Sequence, residues 1–174
     1  MPGSTTFDAF QLARRQEMLR GEATMAGFPR LARSVLDPAA RVRYEVVGRI
    51  DGEGHPGALM KLSARLPLRC ERCNEPMLFR LEREVAFRFV GDEQELNALP
   101  IEDVEVEEVV GSPSMALLPW IEDEVILSLP LVPRHDDCAL PLAGEGGPAQ
   151  ERRPNPFAAL ARLKVGDGGG SADG

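Results

Sequence analysis

Three cysteines and two histidines are the soft metal ligands of this 174-residue chain, and four of these five fall into two pairs of equal spacing: Cys70 with Cys73, and His135 with Cys138. Leu62, Ala64 and Leu66 alternate before the first pair, and Met77, Phe79 and Leu81 alternate after it. Alternation on both sides of a short turn predicts a hairpin with the Cys-x-x-Cys at its tip. Such a tip aims both sulfurs at one point, which suits a tetrahedral metal or a disulfide. The two pairs together make a Cys₃His set, a donor combination that zinc takes. Sixty-one residues separate Cys73 from His135, far more than in a zinc finger, so the fold has to bring the pairs together. The plainer alternative is a pair of small buried thiols with no metal. A redox role fits less well, because a thioredoxin-like Cys-x-x-Cys opens a helix whose dipole lowers the thiol pKa, whereas this one lies between strands and before Pro76.

Composition narrows the setting. The chain is 43% hydrophobic with a net charge of −8, enough apolar content for one core. No apolar run approaches the roughly 18–20 residues of a membrane span, and Met1 to Thr6 lacks a secretory layout. The expectation is a cytoplasmic protein with reduced thiols, which favours metal or free thiols over disulfides. Charge is unevenly spread: residues 1–50 hold eight basic and five acidic residues, whereas 91–150 hold one basic and fourteen acidic. That polarity suggests one face for anionic partners and another for basic ones. The overall acidity argues against strong nonspecific nucleic-acid binding, and neither DNA nor a membrane is expected as a partner.

The elements that must position the pairs follow in order. Thr5-x-x-Asp8 reads as a capping box opening a helix over 6–20, stopped by Gly21 and held to the body by Phe7 and Phe10. Val42, Tyr44, Val46 and Ile50 mark a strand, and Asp51 to Gly57 a turn with His55 as a solvated tip. Ala58 to Leu66 and Met77 to Phe89 are the two arms of the cysteine hairpin. Gly91 to Pro100 reads as an acidic loop, and Asp103 to Glu107 as an edge strand whose carboxylates can pair with Arg80 or Arg88. A helix near 114–129 carries Leu117, Leu118, Ile121, Val125 and Leu129 inward. Its Glu122-Asp123-Glu124 reads as a solvated ridge, because neighbouring helix positions diverge by about 100° and do not converge on a metal. Leu129 to Pro133 then delivers His135 and Cys138 as extended chain. Residues 141–153 read as a linker, 154–165 as a short helix too small to fold alone, and 166–174 as a disordered tail. The fold class is α+β: an antiparallel sheet of about five strands flanked by the N-terminal helix and the 114–129 helix, in one domain over 1–140.

Three stretches are familiar: Leu68 to Pro76 around the Cys-x-x-Cys, Ile121 to His135, and Asn155 to Leu160. In order and spacing the chain resembles the bacterial YceD family, the large ribosomal RNA subunit accumulation proteins. The resemblance implies a cytoplasmic factor in ribosome biogenesis that supports accumulation of 23S rRNA. It supplies no catalytic mechanism, and the first expectation is a non-enzymatic factor. Its expected partners are that rRNA or its precursor, a large-subunit ribosomal protein, or both. A metal-dependent RNA-processing enzyme and a purely protein-binding adaptor are the alternatives. Candidate metal ligands are Cys70, Cys73, His135 and Cys138, with zinc as the candidate cofactor. Candidate binding residues are Arg14, Arg15 and Arg20 on the first helix, Arg72 and Arg134 beside the metal pairs, and Phe157 and Leu160 on the last. No catalytic residue is assigned.

Overall fold

The computed structural model describes residues 6–98 and 106–139. In chain order its elements are β1 (Thr6–Phe7), α1 (Ala9–Arg15), β2 (Met18–Thr24), β3 (Arg41–Ile50), β4 (Pro56–Arg69), β5 (Pro76–Val90), α2 (Glu93–Ala98), β6 (Val106–Val110), β7 (Met115–Ala116) and α3 (Leu117–Ser128). Two single-turn 3₁₀ helices, Met25–Gly27 and Leu31–Arg33, lie between β2 and β3. The sheet runs β2-β3-β4-β5-β6, and β1 pairs with β7 apart from it. The α+β class is as the sequence predicts. The linker, short helix and tail expected over 141–174, with Phe157 and Leu160, lie outside the described residues.

The long hairpin of β4 and β5 is the spine. Thirteen residue pairs join these strands, from Gly57–Arg88 to Arg69–Pro76. Alternation sets its two faces. Val42, Val46, Met60, Leu62, Leu66, Leu81, Val85 and Phe87 are buried on the inner face, and both α1 and α3 cover that side. Trp120 of α3 meets Phe87 edge-on with centroids 4.7 Å apart, and Phe7 stacks on the same indole at 5.8 Å. At Gly48 an added Cβ would run into the Leu12 carbonyl, so α1 crosses β3 at backbone contact. The outer face carries mostly charged residues.

Four expectations need correction. The first helix is not 6–20 but Ala9–Arg15, capped by the Asp8 side chain on the Gln11 N–H at 2.9 Å and ended by Gln16 at φ 52°. Met18–Thr24, with Arg20 and Gly21, instead forms a seven-pair ladder with β3, and a complete ladder outweighs the weak intrinsic preference of a short helix. The N-cap of α1 is Asp8, where the sequence predicts Thr5. The edge strand β6 is parallel to β5 rather than antiparallel; the fifteen residues between Val90 and Val106 give the length a parallel crossover needs. Part of the expected acidic loop is α2, where Asp92 accepts the Glu95 N–H at 2.8 Å and Glu95 the Gly91 N–H at 2.6 Å. Pro119 sits in the first turn of α3, where its missing N–H is not needed.

The fourth correction concerns Glu122-Asp123-Glu124, which is not a solvated ridge. Glu122 and Glu124 are only 3% and 4% exposed. Glu122 accepts the Arg30 N–H at 2.6 Å, the Leu31 N–H at 3.0 Å and Arg30 Nε at 3.0 Å, while Arg30 also pairs with the exposed Asp123 at 2.6 Å. The 3₁₀ segment is thereby fastened to α3. Glu124 faces the sheet, with Arg83 Nε at 3.9 Å from its Oε2, and Arg83 is itself paired with Glu107 at 2.9 Å. Burial, and after it the Glu107 charge, pushes the Glu124 carboxyl up to about 7. No helix among the described residues is long and apolar enough to cross a membrane.

Candidate metal centre

The end of the spine hairpin builds the first half of the site. Residues 70–75 turn between β4 and β5, with the Cys70 N–H on the Glu75 carbonyl at 3.0 Å and the Asn74 N–H on the Cys70 carbonyl at 2.9 Å. Asn74 takes the left-handed conformation, φ 65°, which asparagine tolerates better than most residues. The turn points the Arg72 backbone N–H at Cys70 Sγ, 3.4 Å away. Cys70 is fully buried and Cys73 half-buried.

The second half arrives from α3. Leu129 ends that helix in extended conformation, and Pro130 and Pro133 stiffen the chain beyond it. Two contacts fasten it to the turn: the Glu71 N–H donates to the Pro133 carbonyl at 2.8 Å, and Arg72 Nη1 to the Cys138 carbonyl at 2.9 Å. Sequence-distant pairs are thus held together by backbone hydrogen bonds as well as by their own side chains.

The four predicted ligands converge. Cys70 Sγ lies 3.6 Å from Cys138 Sγ, Cys73 Sγ lies 3.4 Å from His135 Nδ1, and all four donor atoms are within 4.8 Å of one another. Tetrahedral zinc with bonds of about 2.3 Å to sulfur and about 2.1 Å to nitrogen sets such atoms roughly 3.6–3.8 Å apart. His135 Nε2 is 3.2 Å from the Pro76 carbonyl. A carbonyl only accepts, so this contact selects the neutral tautomer that donates from Nε2 and turns the Nδ1 lone pair to the cysteines, the orientation a metal ligand needs. All three cysteines are free thiols.

Charge inside the cluster is already split. Burial opposes ionisation of Cys70, but hydrogen bonds from the backbone at Cys73, His135 and Arg72 outweigh it and bring the thiol to about 5. Burial, followed by the sulfurs of Cys70 and Cys73, pushes Cys138 up. A second charge on sulfur calls for a cation among the thiols, and metal binding would displace protons here. The residues present fit zinc in number, type, distance and outer hydrogen bonds.

The remaining candidates are scattered. Arg72 stands against the cluster. Arg134 is exposed on the segment that carries His135. Arg14 and Arg15 are exposed on α1, over the inner side of the sheet, whereas Arg20 lies opposite Glu45 in the β2–β3 ladder on the outer face. Those three do not share a surface. His55 is exposed on its turn, where Asp51 accepts the Glu53 and His55 N–H groups at 2.9 and 2.8 Å; those bonds account for the Asp51–Glu53–His55 grouping as turn structure. Of the arginines expected to meet the edge carboxylates, Arg88 reaches Glu108 at 3.6 Å. Arg83, not Arg80, holds Glu107.

Fold and cluster together define an α+β domain with a Cys₃His centre at the tip of its longest hairpin, and comparison with known proteins gives it a family. The family model described as large ribosomal RNA subunit accumulation protein YceD matches residues 59–164, a span that takes in all four candidate ligands. The protein of that same description from Haemophilus influenzae is 31% identical over 167 residues, covering 91% of this chain and 94% of its own length. The chain belongs to the YceD family. No solved structure matches it.

Proposed function

We propose that this protein is a non-enzymatic factor that supports accumulation of large-subunit (23S) rRNA in the cytoplasm, by binding the rRNA or its precursor, a large-subunit ribosomal protein, or both. The observation that carries the reading is its similarity, over nearly the whole length of both chains, to a relative whose name states a role in large ribosomal RNA subunit accumulation. Within this reading, Cys70, Cys73, His135 and Cys138 hold a structural zinc ion. Zinc would supply a cross-link between the hairpin tip and the chain after α3, four protein ligands leaving no open position for catalysis. Residues 154–165, with Phe157 and Leu160, are proposed as a partner-docking segment.

What weighs against a carboxylate-based RNA-processing enzyme is the use already made of its candidate residues. Both oxygens of Glu122 accept hydrogen bonds from Arg30 or Leu31, and Arg30 also occupies Asp123. The test is replacement in Haemophilus influenzae: cells lacking their own relative should show a lowered ratio of 23S to 16S rRNA, and expressing this chain should restore it. An unchanged ratio in cells that make the protein at normal levels would reject the reading.

A further inference from the structure

On the outer face of the sheet, near the cysteine end of the hairpin, arginines line up across three adjacent strands. Arg65 of β4 lies directly opposite Arg80 of β5. Val42–Ala64 is the last pair of the β3–β4 ladder, which sets Arg41 opposite Arg65 one step further along. Arg41, Arg65 and Arg80 therefore form one row, about 5 Å from strand to strand. All three are exposed. Beside the row, a depression of about 600 Å³ is lined by Glu22, Arg41, Arg43, Ser63, Arg65 and Glu82 among others.

Among the described residues, only Arg41 of this row has a carboxylate partner. Like charges directly opposite one another in a ladder are destabilising, and the guanidinium groups of Arg65 and Arg80 form no ion pair or hydrogen bond to other described residues. Glu82, two pairs along on the same face, makes no ion pair among the described residues either. Glu22 accepts from Arg41 at 2.7 Å and from Arg43 at 2.8 Å, so Arg43 alone can keep that carboxylate paired while Arg41 turns to an outside anion. Four guanidinium groups thus face two carboxylates. Arg69, four residues beyond Arg65 on the same side of β4, extends the basic strip to the hairpin turn, where its Nη1 donates to the Asn74 carbonyl at 3.0 Å.

We infer that Arg41, Arg65 and Arg80 form a binding site for the phosphate backbone of RNA. This deepens the function proposed above and rests on it. Guanidinium forks match phosphate oxygens, and a row across strands offers several forks to successive phosphates. The depression beside the row has no aromatic side chain on which a base could stack, so the row reads backbone rather than sequence. The depression beside Arg41 and Arg65 is lined by charged and small side chains rather than by the apolar pockets that hold the side chains of a bound peptide, which favours RNA over an acidic protein segment.

The experiment measures binding of a fluorescently labelled single-stranded oligo(U) by the full chain across a series of KCl concentrations. Each single-stranded phosphate contact contributes about 0.7 to the slope of log affinity against log salt, so three contacts predict a slope of about −2. The Arg65→Gln/Arg80→Gln variant should reduce the slope by about 1.4 and weaken binding at least tenfold at low salt. Because it removes a like-charge pair, its melting temperature should be equal or higher, which separates loss of contact from loss of fold. Arg33→Gln, at an exposed arginine of the 3₁₀ turn Leu31–Arg33, is the control and should bind as the parent does. An unchanged slope in the Arg65/Arg80 variant would overturn the inference. So would an absence of RNA binding by the parent protein, or binding of polyglutamate in its place. None of these results touches the 23S ratio in cells, so the broader function stands or falls separately.

Discussion

His135 Nδ1 lies 3.4 Å from Cys73 Sγ, and the other nitrogen of the same ring lies 3.2 Å from the Pro76 carbonyl. The hairpin that supplies one pair of ligands thus also orients the histidine of the other pair. A cross-link at this point joins chain segments 62 residues apart, so metal should act on the whole domain. Zinc at one hundred times its Kd should add about 2.7 kcal/mol to the unfolding free energy. A chelator should remove that increment. His135→Ala should make stability insensitive to both additions, as read by thermal melts with zinc and with chelator.

Glu122 ties α3 to the turn at Arg30 and Leu31 through three hydrogen bonds from two residues. Glu122→Ala leaves two backbone N–H groups without their acceptor, and the cost should be about 3 kcal/mol. Urea unfolding measures it. Asp123→Ala, which removes only an exposed pairing to Arg30, should cost less than about 1 kcal/mol.

Glu124 predicts a pH dependence with a definite sign. Its carboxyl is raised to about 7 by burial and by Glu107, against an ordinary 4.5, while Arg83 partly offsets both. Between those two values the folded state keeps a proton that the unfolded chain releases, so this group's contribution to stability falls as pH rises from about 4.5 through 7. Glu124→Gln should remove that decline and stabilise the protein by about 1–3 kcal/mol at pH 8. Unfolding free energies at pH 5 and pH 8 check it. An equal effect at both values would show that Glu124 does not titrate in this range.

Gly48 predicts how closely α1 lies on the sheet. Gly48→Ala would drive a methyl group into the Leu12 carbonyl and should cost about 1–3 kcal/mol through overpacking. Gly52→Ala, where an added Cβ meets nothing within 4 Å, should be near neutral in the same assay.

These residues also show what the sequence can reveal. The convergence of Cys70, Cys73, His135 and Cys138 was legible because both pairs share one spacing and each follows an element of clear period. Strands β3, β4 and β5 were legible from alternation alone. The burial of Glu122 was not, because its partners lie at residues 30 and 31, and local pattern carries no information about a contact across 92 positions. The direction of β6 was hidden too, since a period of two is the same in parallel and antiparallel strands. The sequence overextends helix α1 because Arg14 to Arg20 are good helix formers, and only the partner strand β3 makes Met18–Thr24 a strand. Helix α2 did carry a local signal, Asp92-x-x-Glu95, the spacing of a capping box. The arginine row is invisible without register, since Arg41, Arg65 and Arg80 become neighbours only through pairing.

The most direct test of the zinc-linked account is the metal content of the full chain purified without chelator, joined to X-ray absorption at the zinc edge. The account predicts one zinc per chain, with a first shell of three sulfurs at about 2.3 Å and one nitrogen at about 2.1 Å. It also predicts that Cys73→Ser lowers the metal content. Protein that is folded and fully reduced, yet holds no zinc and takes up none when it is supplied, would contradict the account and leave the four side chains as a buried thiol–imidazole cluster.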